Sequence, residues 1–271
     1  MTTGMVHGNG IDIRYRITGD GDQDLVLING VGDDLDGWAG QLDDFTAAGL
    51  RVISYDNRGS GESGQPPGPY ASTEMAADLR ALVTALGLGS FHLAGVSMGG
   101  VIAQEYAVAH PAGLRSLVLA NTFAAADPFT AAAFETWATV ALAAGMPVMM
   151  RQQAPWIFSP DFYARHPDRV TELVAAAQTS TQPPAAFAAQ MAALTGHDCA
   201  ARIGAVRVPT LVLAARDDII IRPQLSRQLF DALAGGVGTW AVVPGGHAAF
   251  WEDPGPWNQA VIEFVRASGA S

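Results

Sequence analysis

The amino-acid sequence predicts an α/β fold: a mostly parallel central sheet flanked by helices, with a helical cap inserted between two of its strands. Three observations carry this. Short continuous apolar runs, the pattern of strands buried on both faces, recur along the chain. Helical stretches alternate with them, which places helices on both sides of a parallel sheet. One long segment, 123–195, breaks the alternation and contains no convincing strand.

Two β-like runs open the chain, joined by the turn Gly8-Asn9-Gly10, and the second, Ile11 to Ile17, alternates at period two. Leu25 to Ile28 is the first fully apolar run, and the pattern returns at Arg51–Tyr55, Phe91–Ala94, Leu117–Ala120, Leu211–Ala214 and Trp240–Val243. Between them, Ser72 or Thr73 is placed to cap a helix over Glu74–Leu86 that Gly87 ends. Further helices are expected over Met98–His110, Gln224–Leu233 and Trp257–Ala267. The interrupting segment is Ala-rich and punctuated by Pro128, Pro147, Pro155, Pro160, Pro167 and Pro183-Pro184. Residues 1–122 and 196–271 are therefore expected to form the core, with 123–195 as the cap.

The chain has 271 residues, 49% of them hydrophobic and only 15% charged, which suits a compact core and argues against disorder. A net charge of −11 without any Lys/Arg cluster discourages nucleic acid as a partner. Cys199 is the only cysteine, so no disulfide can form within the chain. The first residues have neither the basic start nor the apolar run of a signal peptide. The most apolar stretch, Val140–Met150, is broken by Gly145 and Pro147 and is too short to span a bilayer. The expectation is a cytoplasmic protein with no membrane partner.

The chemistry centres on Gly95-Val96-Ser97-Met98-Gly99-Gly100, which follows a predicted strand and opens a predicted helix. A serine on so sharp a turn is held in a strained conformation, and small residues two positions either side keep the neighbouring chain clear. The turn presents the hydroxyl at the carboxyl edge of the sheet, where open α/β folds bind ligands. The Met98 N–H, at the helix start, faces a developing oxyanion there. Serine needs a base to take its proton, and histidine is the usual one. Of six histidines, His92 lies inside a buried strand, His110 and His166 each precede a proline, His7 precedes the opening turn, and His197 ends the insertion. His247 alone sits in a loop directly after the last predicted strand, in Pro244-Gly245-Gly246-His247.

On these residues the chain resembles the α/β-hydrolase fold family, and the resemblance covers nearly the whole sequence. It places the base at His247, with Glu252-Asp253-Pro254 echoing the acidic-proline sequence that follows the family's histidine. In the family, the loop after the first buried strand reads His-Gly and then a large residue, whose N–H is the second oxyanion donor. That residue is Val31, and Asn29 stands where the histidine usually does, as in enol-lactone hydrolases. Ala215-Arg216-Asp217-Asp218 resembles the family's G-x-x-D with alanine for glycine, which selects Asp218 as the acid and leaves Asp217 as the alternative. Asn121 occupies the place where some relatives carry the acid instead. Tyr55–Ser63 matches a loop that is mainly structural in the family, and Pro66–Tyr70 adds to the likeness to 3-oxoadipate enol-lactone hydrolases and related esterases.

Serine at position 97 argues against haloalkane dehalogenase or epoxide hydrolase chemistry, which needs an aspartate nucleophile. No dinucleotide fingerprint follows a strand and no cluster has metal-ligand spacing, so catalysis without cofactor or metal is expected. The expected activity is hydrolysis of a small, largely apolar carboxylic ester or lactone. The same residues would also serve a C–C bond hydrolase or a perhydrolase, and the fold alone could serve a ligand receptor. Candidate substrate contacts are Asn29, Trp38, Trp137 and Trp156, from the two loops and the aromatic-rich cap. Arg58, Arg151 and Arg222 are candidates for holding a substrate carboxylate.

Overall fold

The computed structural model describes residues 1–178 and 181–269. The chain opens with the hairpin β1 (Thr2–Gly8) and β2 (Ile11–Thr18), where Asn9 and Gly10 both take positive φ in the turn. It continues through β3 (Gln23–Ile28), a 3-10 turn at Leu35–Trp38, α1 (Ala39–Ala47), β4 (Leu50–Tyr55), α2 (Ser72–Ala85), β5 (Phe91–Val96), α3 (Met98–Ala109) and β6 (Leu114–Ala120). Next come α4 (Pro128–Ala144), α5 (Met146–Ile157), α6 (Pro160–Arg165), α7 (Pro167–Ala177) and α8 (Pro184–Thr195). The chain closes with β7 (Thr210–Ala215), α9 (Pro223–Ala232), β8 (Gly238–Val243), α10 (Ala249–Glu252) and α11 (Pro254–Gly269).

The eight strands form one sheet in the order β1-β2-β4-β3-β5-β6-β7-β8. The pairs β1/β2 and β2/β4 are antiparallel and the others parallel, as the continuous apolar runs predict. From β3 the chain moves to β4 on one side, then crosses back to β5 on the other. The carboxyl ends of β3 and β5 therefore flank a crevice at the point where strand order reverses, with Ile28 opposite Gly95.

Alternation along each strand feeds two cores. Leu25 and Leu27 of β3 pack on the face covered by α1 and α11, with Phe45, Trp257 and Val261. Val26 and Ile28 pack on the opposite face with Leu79 of α2, Ile102 of α3 and Leu229 of α9. The second core runs on into the segment between β6 and β7, taking in Phe134, Trp137, Met149 and Phe187, so that segment is packed onto the main body. Its prolines start helices: Pro128, Pro147, Pro160, Pro167 and Pro184 each stand in a first turn, where no amide hydrogen is needed. Pro155 is the exception, inside α5.

Two local features differ from the sequence expectation. The cap of α2 is neither Ser72 nor Thr73 but Ala71, which makes no side-chain bond, because the buried Ser72 hydroxyl turns inward to His197 Nδ1 at 3.3 Å. The helix α1, nine residues long, is the second, an addition, because the sequence expectation has no helix between the first two buried strands. His92 is fully buried in β5, as expected, and its Nδ1 lies 2.7 Å from Ser116 Oγ. Burial, aided by nearby Arg115, pushes its pKa down to about 4, so it is neutral at ordinary pH. Among the described residues, no helix is long and apolar enough to cross a membrane.

One aromatic cluster lies under α1 and α11. Trp38 is fully buried, with its ring 5.5 Å from Phe250 and 5.8 Å from Trp257. Trp38→Ala should cost about 3–5 kcal/mol of unfolding free energy, the usual range for emptying a buried aromatic site. Urea denaturation checks this, and a loss below about 1 kcal/mol would mean the ring is not held in the core.

Candidate active site

Ser97 joins β5 to α3 with φ 55° and ψ −116°, a conformation that side chains rarely adopt. The surroundings impose it. The Ser97 amide donates to Ala120 O of β6 at 2.9 Å, while Thr122 Oγ1 donates to Ser97 O at 2.9 Å. A Cβ on Gly95 would collide with the carbonyl of Gly99, and one on Gly99 with the carbonyl of Ile28. Only glycine lets α3 start this close to β3 and β5. Of the oxyanion candidates, Met98 opens α3 directly after Ser97, and Val31, which lines the same cavity as Ser97, follows the end of β3 in a turn whose Gly32 has φ 84°. Among the described residues, neither the Val31 nor the Met98 amide donates to a protein acceptor.

His247 hangs on the loop after β8, with Nε2 2.9 Å from Ser97 Oγ and Nδ1 2.7 Å from Asp218 Oδ2. Asp218 follows β7 and is 2% exposed, but every lone-pair direction is used. Oδ1 accepts from the amides of Ile220 and Ile221 at 2.9 and 2.8 Å, and Oδ2 also accepts from Asn121 Nδ2 at 3.1 Å. Asp217 points to solvent instead, so the neighbouring carboxylate is not the one against the imidazole. Asn121, itself at φ 47°, is a supporting donor to that carboxylate.

The hydroxyl opens into a mainly apolar cavity walled by Phe134 and Trp137 of α4, by Met150, Gln153 and Ile157 on one face of α5, and by Trp251. The expected substrate contacts divide here. Trp137 lines the cavity. Trp156 stands outside its wall, packed edge-on against Trp137 at 6.1 Å. Trp38 lies a layer deeper, behind Phe250, which itself lines the cavity. Asn29 is 2% exposed and is used by the backbone: Nδ2 donates to Tyr55 O at 3.5 Å, while Asn29 O accepts from Asn57 Nδ2 at 3.1 Å. The three arginines are elsewhere as well. Arg58 is bound to Asp78 and Glu74, Arg222 to Asp127, and Arg151 is exposed on the far side of α5 from the cavity.

Sequence reasoning missed Asp33, Gln153 and Glu252. Asp33 borders the cavity two residues beyond Val31; the acidic pair Asp33-Asp34 in a loop at the sheet's carboxyl edge was the available signal. Burial, together with the neighbouring charge of Asp34, raises the Asp33 pKa to about 7, and His247 opposes the shift. Glu252 of α10 ties the histidine loop to the helical segment. It accepts from Ser159 N at 2.6 Å, Ser159 Oγ at 2.7 Å and Gly246 N at 3.1 Å, and Ala248 N donates to Ile157 O at 2.8 Å. Among the described residues, no group of three or more His, Cys, Asp or Glu side chains is placed to hold a metal ion.

The sheet order, the serine turn at the strand-order reversal and the helical segment over it define an α/β-hydrolase enzyme. The family model described as alpha/beta hydrolase fold matches residues 25–254, and the chain belongs to that family. It is 31% identical over 258 residues to RutD of Azorhizobium caulinodans, to which carbamate hydrolysis is ascribed, covering 95% of this chain and 96% of that one. Among solved structures it resembles the enol-lactonase from Burkholderia xenovorans LB400, with a TM-score of 0.89, 26% identity, and 97% and 100% of the two chains covered. A thermophilic esterase from Thermogutta terrifontis superposes with a TM-score of 0.87 at 26% identity, over 99% of each chain.

Because Glu252 is a charged acceptor for three donors, Glu252→Ala should loosen the His247 loop and slow fluorophosphonate labelling of Ser97 about tenfold, the equivalent of roughly 1.4 kcal/mol. Glu252→Gln keeps one carbonyl acceptor and should fall between. Labelling of Glu252→Ala at the wild-type rate would show that the tether does not position the imidazole.

Proposed function

We propose that the enzyme is a serine hydrolase that cleaves a carboxylic ester or lactone of a small, largely apolar molecule through an acyl-enzyme on Ser97. The unbroken hydrogen-bond line from Asp218 through His247 to Ser97, ending in an apolar cavity, carries this reading. Ser97 Oγ attacks the substrate carbonyl while His247 Nε2 takes its proton. Asp218 accepts the Nδ1 hydrogen, fixing the tautomer and balancing the imidazolium, and its four hydrogen bonds hold it still.

The negative charge that forms on the carbonyl oxygen is held by the Val31 and Met98 amides, which are free to donate and rigidly carried. His247 then returns its proton to the leaving alcohol or enol, and the acyl group stays on Ser97. A water molecule deprotonated by the same imidazole completes the reaction and releases the acid. The relatives named for enol-lactone, ester and carbamate cleavage all act at an acyl carbonyl, which supports acyl transfer as the common step.

Intact-mass analysis after fluorophosphonate treatment should find one adduct on wild type and none on Ser97→Ala or His247→Ala. With p-nitrophenyl acetate, Asp218→Asn should lower kcat about 10⁴-fold, because the amide cannot hold the needed tautomer. Either mutant of Ser97 or His247 should fall at least as far. An adduct persisting on Ser97→Ala, or ester turnover surviving its loss, would sink the proposal.

A further inference from the structure

Beyond Ser97 and His247, only two polar side chains line the cavity among the described residues, Asp33 and Gln153, and no Lys or Arg is there. Asp33 is placed for contact with substrate. Its Oδ2 lies 3.2 Å from the point a Cβ on Gly30 would occupy, and Ser97 Cβ lies 3.6 Å from that same point. The carboxyl and the nucleophile therefore share one small space, kept open by the missing side chain of Gly30. Among the described residues no hydrogen bond or cation pairs with Asp33, which is half-buried at the cavity edge; the titratable groups that face it are Asp34 on its own loop and His247 across the cavity.

From this placement, and resting on the hydrolase reading above, we infer that Asp33 sets substrate charge: the site favours an ester carrying a protonated amine and rejects one carrying a carboxylate. A substrate carboxylate would meet a like charge in an apolar cavity, with no arginine or lysine to offset it. A substrate ammonium would supply the partner that Asp33 lacks. The preference depends on pH. With its pKa raised to about 7, Asp33 is mostly neutral below that value and anionic above it. Discrimination should strengthen as pH rises through 7 and fade as it falls.

Three matched acetates test this: 4-propylphenyl acetate, 4-(2-aminoethyl)phenyl acetate and 3-(4-acetoxyphenyl)propanoate, similar in size and leaving group but neutral, cationic and anionic. At pH 8, kcat/KM for the amine should exceed that for the propanoate at least about tenfold, a 1.4 kcal/mol difference that one partly buried charge readily supplies. Asp33→Asn should bring the ratio to within about twofold, and the wild-type ratio should shrink at pH 6. A wild-type ratio near one, or a ratio unchanged in Asp33→Asn, would overturn the inference. Binding of tyramine and of 3-(4-hydroxyphenyl)propanoate to the Ser97→Ala protein, read by calorimetry, reports charge preference without turnover. Tighter tyramine binding that Asp33→Asn abolishes supports the assignment even if none of the esters is cleaved, in which case the hydrolase reading alone fails. Equal binding of the two overturns the assignment while leaving the hydrolase reading to the labelling result.

Discussion

The site is arranged around one constraint, the close approach of the first turn of α3 to the ends of β3 and β5. Gly99 rests against the carbonyl of Ile28, and Gly95 against that of Gly99. With both glycines bare, the chain reverses at Ser97 at φ 55°, and the hydroxyl is thrust out at the strand-order reversal. The same approach places the Met98 amide at a helix start beside the loop that carries Val31. Thr122 and Ala120 hold Ser97 through its backbone groups, so the strain is resisted by β6 as well as by the turn. A hydroxyl held this rigidly needs little reorganisation when charge develops beside it, which is where preorganised sites gain most of their effect.

Around that fixed point, the polar groups fall into two kinds. Asp218 is buried and fully satisfied, with acceptor capacity spent on Ile220, Ile221, Asn121 and His247. Asp33 is half-buried at the cavity edge and has no hydrogen-bond partner among the described residues, and its pKa is raised. The difference is one of supporting donors: Asp218 has four, whereas Asp33, with none among the described residues, is pushed toward its neutral form by burial. The first kind is fixed entirely by groups of the protein itself, and the second is not.

The helical segment between β6 and β7 is bound to the site at two levels. Its apolar residues continue the core above α2 and α3, and its α5 presents one face to the cavity at Met150, Gln153 and Ile157. Its polar tie runs through Ser159 and Glu252 to Gly246, the residue before His247. Cavity shape and imidazole position thus share a common support.

Much was legible from local pattern alone. The apolar runs and their alternation with helices marked the parallel sheet, because a strand buried on both faces has no polar positions to spare. The serine turn was legible because its geometry demands glycine at set offsets, and the loop of His247 because loops after parallel strands emerge at the same sheet edge; Asp218 over Asp217 rested on the resemblance to the family's pattern. Depth was not legible. Trp38 and Trp137 are the same residue type near the same site, yet one lies behind Phe250 and the other faces the cavity, since which side of a loop or helix meets the crevice depends on packing from distant segments. Asn29 was read as a substrate contact, but β4 claims its side chain. Asp33 belongs to an acidic pair in its loop, and only the fold sets it at the cavity edge. Periodicity and turn chemistry act over a few residues and write themselves into the chain; burial and partnership arise between residues far apart, and only the folded contacts assign them.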